Sequence, residues 1–385
     1  MLPRSRRSDS IRPFQVMRLL ARARELEQQG RDIVHMEIGE PDFATPAPVV
    51  AAAQAAIATG HMHYTPATGL PELKQAIAGF YQQRYGVSVD PRRIVVTPGA
   101  SGALLLALAA VAEPGKQILV SDPGYPCNRN FVRFLEGQAK SVAVGPETAY
   151  QITLAHLQAH WDEQTVGVIL ASPSNPTGTI LSGEQLQAIV EFVRQRNGVI
   201  FMDEIYHGLV YTDQIDTILQ YTDEVFVINS FSKYFGMTGW RIGWLVVPEA
   251  YLIAVDNFAQ NIFLAAPTPS QHAALAAFAP DNIAILEARR AEFRQRRDYL
   301  LPALRELGFK ISAEPQGAFY FYCDASAFTR DSMQFVEDLL EQAGVALTPG
   351  MDFGEYHAET HVRVAYTTSL ERLEEGVERL RAFLK

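Results

Sequence analysis

Residues 229–243 read Asn-Ser-Phe-Ser-Lys-Tyr-Phe-Gly-Met-Thr-Gly-Trp-Arg-Ile-Gly, directly after the apolar run Val225, Phe226, Val227 and Ile228. An apolar, β-branched run that ends in small polar residues is how a buried parallel strand delivers side chains to a site at its carboxyl end. Ser230, Ser232 and Arg241, together with backbone N–H groups, form an anion-binding set around one amine, that of Lys233. Hydroxyls and a guanidinium suit a phosphate ester, because charge-assisted bonds to phosphate are strong and directional. An amine held there, desolvated and beside a fixed cation, has its pKa lowered and becomes a nucleophile toward an aldehyde. The stretch asks for an aldehyde that carries a phosphate, and for a parallel sheet to present it.

At 385 residues the chain is long for one core and suits two domains. Its 48% hydrophobic and 20% charged content are those of a globular enzyme, and its net charge of -10 argues against nucleic acid or an anionic membrane as partner. The start is the exception, with Arg4, Arg6, Arg7 and Arg12. No apolar segment follows Arg6-Arg7, so a short, flexible basic arm is expected rather than an export signal. The longest fully apolar run, 103–112, is too short to span a bilayer. Cys127 and Cys323 make no metal or redox spacing. These features lead to the expectation of a cytoplasmic chain.

The run Ser-Phe-Ser-Lys-x-x-x-Met-Thr-Gly-Trp-Arg, with eight residues from Lys233 to Arg241, resembles the lysine signature of class I/II aminotransferases, the fold-type I pyridoxal 5'-phosphate (PLP) enzymes of the aspartate aminotransferase superfamily. Other segments fit in order. Ile94 to Thr97 reads as a strand, and Pro-Gly-Ala-Ser-Gly then opens the apolar helix 103–112. Such a turn offers free N–H groups and a positive dipole end, which makes Gly99, Ala100 and Ser101 candidate phosphate donors. The apolar strand 166–171 ends in Ser-Pro-Ser-Asn-Pro-Thr-Gly, where Asn175 can donate to the cofactor's phenolic oxygen. Strand 199–202 ends in Asp-Glu-Ile-Tyr. A carboxylate at a strand tip needs a cationic partner, and the protonated pyridine nitrogen supplies one for Asp203. Tyr206 can share the phenolic oxygen with Asn175.

The resemblance implies further roles. Gly39, in Ile-Gly-Glu-Pro-Asp-Phe, faces the substrate carboxylate with its backbone, and Asn175 adjoins it. Tyr64 crosses a homodimer interface to the neighbour's cofactor phosphate. Tyr125, in Asp-Pro-Gly-Tyr-Pro, stacks on the pyridine ring. Arg363, which alternates with Val362 and Val364, grips the α-carboxylate. Lys233, Asp203 and Tyr206 carry the catalysis: Lys233 binds the aldehyde and later moves the α-proton.

The expected fold is α/β: a large domain with a mostly parallel sheet of the seven-stranded type flanked by helices, and a small α+β domain from both termini. Residues 1–45 are assigned to an amino-terminal arm and part of the small domain, 46–279 to the large PLP-binding domain, and 280–385 to the small carboxyl-terminal domain. The expected activity is ping-pong transfer of the amino group of an L-amino acid to a 2-oxo acid such as 2-oxoglutarate. Because no second carboxylate-binding arginine is evident, the donor is expected to be neutral. A PLP-dependent C–S β-lyase is the alternative, followed by a non-catalytic PLP-binding regulator. His156 and His160 lie four apart on a helix without a third ligand, His61 and His63 adjoin Tyr64, and His207 has no chemical task, so no metal site is assigned.

Overall fold

The computed structural model describes residues 5–11, 13–213 and 215–385, so Arg4 and Arg12 of the basic start lie outside the described residues. Twelve strands occur among the described residues, in chain order: β1 (Val34–His35), β2 (Ile94–Thr97), β3 (Gln117–Asp122), β4 (Gln138–Ala143), β5 (Thr165–Ala171), β6 (Val199–Asp203), β7 (Val225–Ser230), β8 (Gly243–Val246), β9 (Tyr320–Asp324), β10 (Val345–Ala346), β11 (Thr348–Pro349) and β12 (His361–Ala365). Seven of them form one sheet in the order β2-β8-β7-β6-β5-β3-β4. Only β8 runs antiparallel to its neighbours, β2 and β7; the other pairs are parallel.

The two-residue period of a strand explains how this sheet is buried on both faces. Ile200, Met202, Val225, Val227, Trp244 and Val246 join one apolar cluster. Their alternating neighbours Phe201, Phe226, Ile228 and Leu245 join a second cluster on the other face, with the helix Gly99–Ala109. Continuous apolar runs were therefore the correct signal for these strands. β4 was not anticipated, because it is an edge strand with an exposed, polar burial pattern. β8 was also missed, lying directly behind the Trp-Arg-Ile-Gly end of the lysine motif.

The remaining strands draw the two chain ends together. β1 pairs in parallel with β10, and β12 lies between β11 and β9 in an antiparallel sheet. The Ala365 N–H donates to the Met36 carbonyl at 2.8 Å, which joins the amino-terminal segment to that sheet. The carboxyl-terminal part also contains the long helices Pro280–Glu306 and Leu370–Phe383.

Other features differ from expectation. The helix expected over 103–112 begins at Gly99, because the glycine turn is already its first turn. The apolar segment 345–349 forms two short strands, β10 and β11, which pair with different partners. The helix Gly183–Arg194 opens with reciprocal capping bonds between Ser182 and Gln185. The flexible basic arm is corrected in part: Arg6–Ser10 is a short helix, and Arg7 pairs with Glu136 at 3.3 Å. Phe226 is fully buried and stacks on Phe201 at 5.5 Å between ring centroids. Phe226→Ala should cost about 3–5 kcal/mol in urea unfolding of the cofactor-free protein, and a loss under about 1 kcal/mol would contradict this account of the core.

Candidate active site

The carboxyl ends of β5, β6 and β7 open on one cavity of about 330 Å³. Asp203 is the last residue of β6, Asn175 follows β5, and Ser232 and Lys233 follow β7, so three strand ends bring their polar residues to the same space. Ala100 and Ser101 reach it from the first turn of the helix Gly99–Ala109. Tyr125, Tyr206, Arg241, Arg363 and Gly39 also lie along its walls.

The Lys233 amine donates to the Gly39 carbonyl at 2.6 Å. Burial pushes this amine down to about 8; Arg363 and Arg241 add to the effect, while Glu40 and Asp203 oppose it. Burial pushes the Asp203 carboxyl up to about 6, against the N–H of Ile205, which donates to it at 3.0 Å, and the charge of Lys233. The Tyr206 phenol is raised well above its ordinary value by burial, and its hydroxyl bonds Tyr320 at 2.9 Å.

Arg363 is buried in β12 and stretches across to the large sheet. It donates to the Asn175 side-chain oxygen at 3.0 Å, to the Glu37 carbonyl at 2.6 Å and to the Thr348 hydroxyl at 3.3 Å. An arginine only donates, so the Asn175 amide presents its oxygen here and keeps its NH₂ for another acceptor. Among the described residues, Nε of Arg363 is buried without a protein partner. That leaves a donor for an anionic ligand.

The anion end is built by close backbone approach. A Cβ on Gly99, whose φ is +72°, would lie 2.5 Å from a guanidinium nitrogen of Arg241. Arg241 itself has φ +52° and donates to the Thr238 carbonyl at 3.0 Å. A non-glycine residue in the left-handed region is strained, and such strain persists where surrounding structure over-determines it.

Three expected residues do not line the cavity. The Ser230 hydroxyl donates to that of Ser232 at 2.9 Å, so it supports Ser232 from behind. Gly99 lies under Arg241 and supplies room rather than surface. Tyr64 is 83% exposed and outside this chain's own cavity. Conversely, the cavity includes Tyr320, Asn128 and an apolar wall of Phe14, Val16 and Met17 that sequence reasoning did not assign. Tyr320 sits in the aromatic run Gly-Ala-Phe-Tyr-Phe-Tyr, and Asn128 comes three residues after Tyr125, yet neither neighbourhood identifies the residue that turns inward. Among the described residues no group of three His, Cys, Asp or Glu side chains is placed to hold a metal.

Comparison with known proteins identifies the family and the fold. The family model for aminotransferase class I and II matches residues 31–380. The valine–pyruvate aminotransferase of Mycobacterium tuberculosis is 39% identical over 376 residues, 97% of each chain. The aspartate/prephenate aminotransferase of Thermus thermophilus is 34% identical over 378 residues, again 97% of each. A crystal structure of an aminotransferase from Mycobacterium tuberculosis superposes with a TM-score of 0.97 at 38% identity, covering 100% of this chain and 99% of that one. The aspartate aminotransferase of Thermus thermophilus with maleate gives 0.93 at 34% identity, covering 99% and 100%. The chain belongs to the class I and II aminotransferases. It is an aminotransferase, and PLP is the cofactor of this family.

The groups present suit PLP: hydroxyls and a guanidinium at a helix N-terminus for a phosphate, a buried carboxylate for a ring cation, and an amine of lowered pKa for an aldehyde. Amine reactivity tests the electrostatics directly. In the cofactor-free protein, acylation of Lys233 by a small amine reagent should rise through a midpoint near 8, and a midpoint near the ordinary 10.5 would refute the burial argument.

Proposed function

We propose that the protein transfers the amino group of a neutral L-amino acid to a 2-oxo acid such as 2-oxoglutarate, in two half-reactions of the ping-pong kind. The observation that carries this reading is the sharing of one cavity by Lys233 and Arg363. They bring a nucleophilic amine and a carboxylate-binding guanidinium, the latter bonded to the Asn175 amide, to the same space. Lys233, Arg241 and Arg363 are the only Lys or Arg side chains along that wall among the described residues, and each already has a task, so no cation remains for a second donor carboxylate. The valine–pyruvate relative supports a neutral donor, while the aspartate/prephenate relative names the competing choice.

In this reading PLP, when bound, supplies an electrophilic carbon and an electron sink. The amine of Lys233, with its pKa lowered by burial, would hold the aldehyde end, and its nitrogen would take the donor's α-proton and return it as general acid. Asp203 would keep a proton on the ring nitrogen, Tyr206 and Asn175 would hold the phenolic oxygen, and Tyr125 would offer the ring an aromatic wall. Ala100, Ser101, Ser232 and Arg241 would hold the phosphate, with Gly99 and Ser230 shaping that cradle. Arg363, Gly39 and Asn175 receive the donor carboxylate.

The same proposal includes a cytoplasmic homodimer in which Tyr64 of one protomer reaches the other's phosphate; the exposure of Tyr64 is what such a contact needs. It also divides the chain into residues 1–45 as an amino-terminal arm and part of the small domain, 46–279 as the large PLP-binding domain and 280–385 as the small carboxyl-terminal domain. No helix among the described residues is long and apolar enough to cross a membrane.

Titrating the holoprotein with a panel of amino acids, while following its visible absorption and the released oxo acid, tests the donor. Valine, alanine or an aromatic donor should lead, with pyruvate and 2-oxoglutarate compared as acceptors; aspartate as best donor would defeat the neutral reading, and steady release of ammonia with pyruvate would indicate a lyase. Lys233→Ala should abolish turnover while PLP still binds noncovalently. Arg363→Ala should raise KM about 100-fold, roughly 2.7 kcal/mol, more than it lowers kcat. Ordinary turnover in Lys233→Ala would overturn the central assignment. Equilibrium sedimentation should return twice the chain mass, and Tyr64→Phe should weaken PLP binding about tenfold.

A further inference from the structure

The wall formed by Phe14, Val16 and Met17 does not hold itself against the cavity. It begins the helix Gln15–Gln28, and the carboxylate of Asp352 receives the backbone N–H groups of Gln15 and Val16, each at 2.8 Å and each on a different oxygen. A buried carboxylate at a helix N-terminus satisfies two otherwise unpaired donors and opposes the positive dipole end. The backbone at Asp352 is itself fixed by the segment that follows β3. Its carbonyl accepts from Arg129 at 2.7 Å, and the next carbonyl, of Phe353, accepts from Arg129 at 2.9 Å and from the Gly124 N–H at 2.8 Å.

One step further, the Asp122 carboxylate at the end of β3 receives the N–H groups of Glu355 and Tyr356 at 3.0–3.2 Å. A Cβ on Gly354 would lie 1.7 Å from Asp122 Oδ1, so this approach requires glycine. The ring of Phe353 lies 4.9 Å from the Arg363 guanidinium carbon. The loop 352–356 thus touches the helix that carries the apolar wall, the 122–129 segment that carries Tyr125 and Asn128, and the carboxylate-binding arginine.

We propose that Asp352, braced by Asp122 and Arg129, is a positioning residue for donor specificity: it holds Phe14, Val16 and Met17 at the distance from Arg363 that an apolar amino-acid side chain fills. Neither aspartate lines the cavity, so the effect passes through the wall. The inference rests on the reading of Arg363 as the carboxylate site and of the donor as neutral.

The test compares kcat/KM for leucine and for alanine in the holoenzyme and in Asp352→Ala. Losing contact with an apolar wall costs a large side chain far more than a methyl, so the leucine-to-alanine ratio should fall about tenfold. Amide exchange at Gln15 and Val16 should rise, while the PLP dissociation constant stays within about twofold. Asp352→Asn keeps an acceptor oxygen and the shape, and should give a smaller fall of the same sign if the alanine variant does not fold. An unchanged ratio, or an equal loss for both donors together with weaker PLP binding, would overturn the proposal. Should the wild type prefer aspartate to both, the neutral-donor reading fails, whereas a lowered leucine-to-alanine ratio in the variant would still support the positioning role.

Discussion

Arg363 joins three parts of the chain that are remote in sequence. Its guanidinium bonds Asn175, 188 residues away, and the Glu37 carbonyl, 326 residues away, while its own strand belongs to the carboxyl-terminal sheet. Burying a guanidinium is costly unless its N–H groups find acceptors, and here the acceptors lie on separate segments. Satisfying the charge therefore requires those segments to meet at the cavity. The parallel pairing of β1 with β10 and the Met36–Ala365 bond serve the same meeting through backbone alone. The candidate active site is where both chain ends and the central sheet converge.

Inside the cavity, burial acts oppositely on its two central charges. Lys233 is lowered to about 8, so the stability linked to it is present above its unfolded value of 10.5 and is lost as pH falls through 8. Asp203 is raised to about 6, so its contribution is present below the unfolded value of 3.8 and is lost as pH rises through 6. Between about 6 and 8 the free protein carries both unfavourable terms. A ligand that brings a cation to Asp203 and bonds the amine of Lys233 relieves both, which makes the site a place where binding strengthens the fold.

Most of this site was legible because its polar residues follow apolar runs. Asn175, Asp203 and Lys233 follow β5, β6 and β7, and Ser101 follows β2 and a glycine turn. Parallel strands buried on both faces write themselves as continuous apolar segments, and their carboxyl ends are where chemistry collects. β4 escaped for the opposite reason: an edge strand needs no apolar run. Tyr320 and the Phe14–Met17 wall escaped because no local pattern encodes which of several aromatic or apolar neighbours faces a cavity built by distant segments. The position of Tyr320 depends on the Tyr206 hydroxyl, that of Val16 on the carboxylate of Asp352.

This division has a consequence for how such a protein changes its substrate. The amine, the carboxylate and the anion cradle come from one sheet and the turns at its carboxyl edge, where a small displacement would disturb several bonds at once. The apolar wall comes from a helix start held by one carboxylate, and its three side chains make no hydrogen bond to the cradle. Substitutions at Phe14, Val16 or Met17 would alter the volume of the cavity they share with Arg363, while Asp203, Lys233 and Arg241 stay on the strand ends and turns of the large sheet. Relatives named for valine–pyruvate and for aspartate/prephenate transfer, at 39% and 34% identity, align with 97% of this chain. A scaffold that separates a fixed reactive end from an adjustable wall is compatible with that range of substrates, because discrimination between side chains requires only a few kcal/mol at the wall.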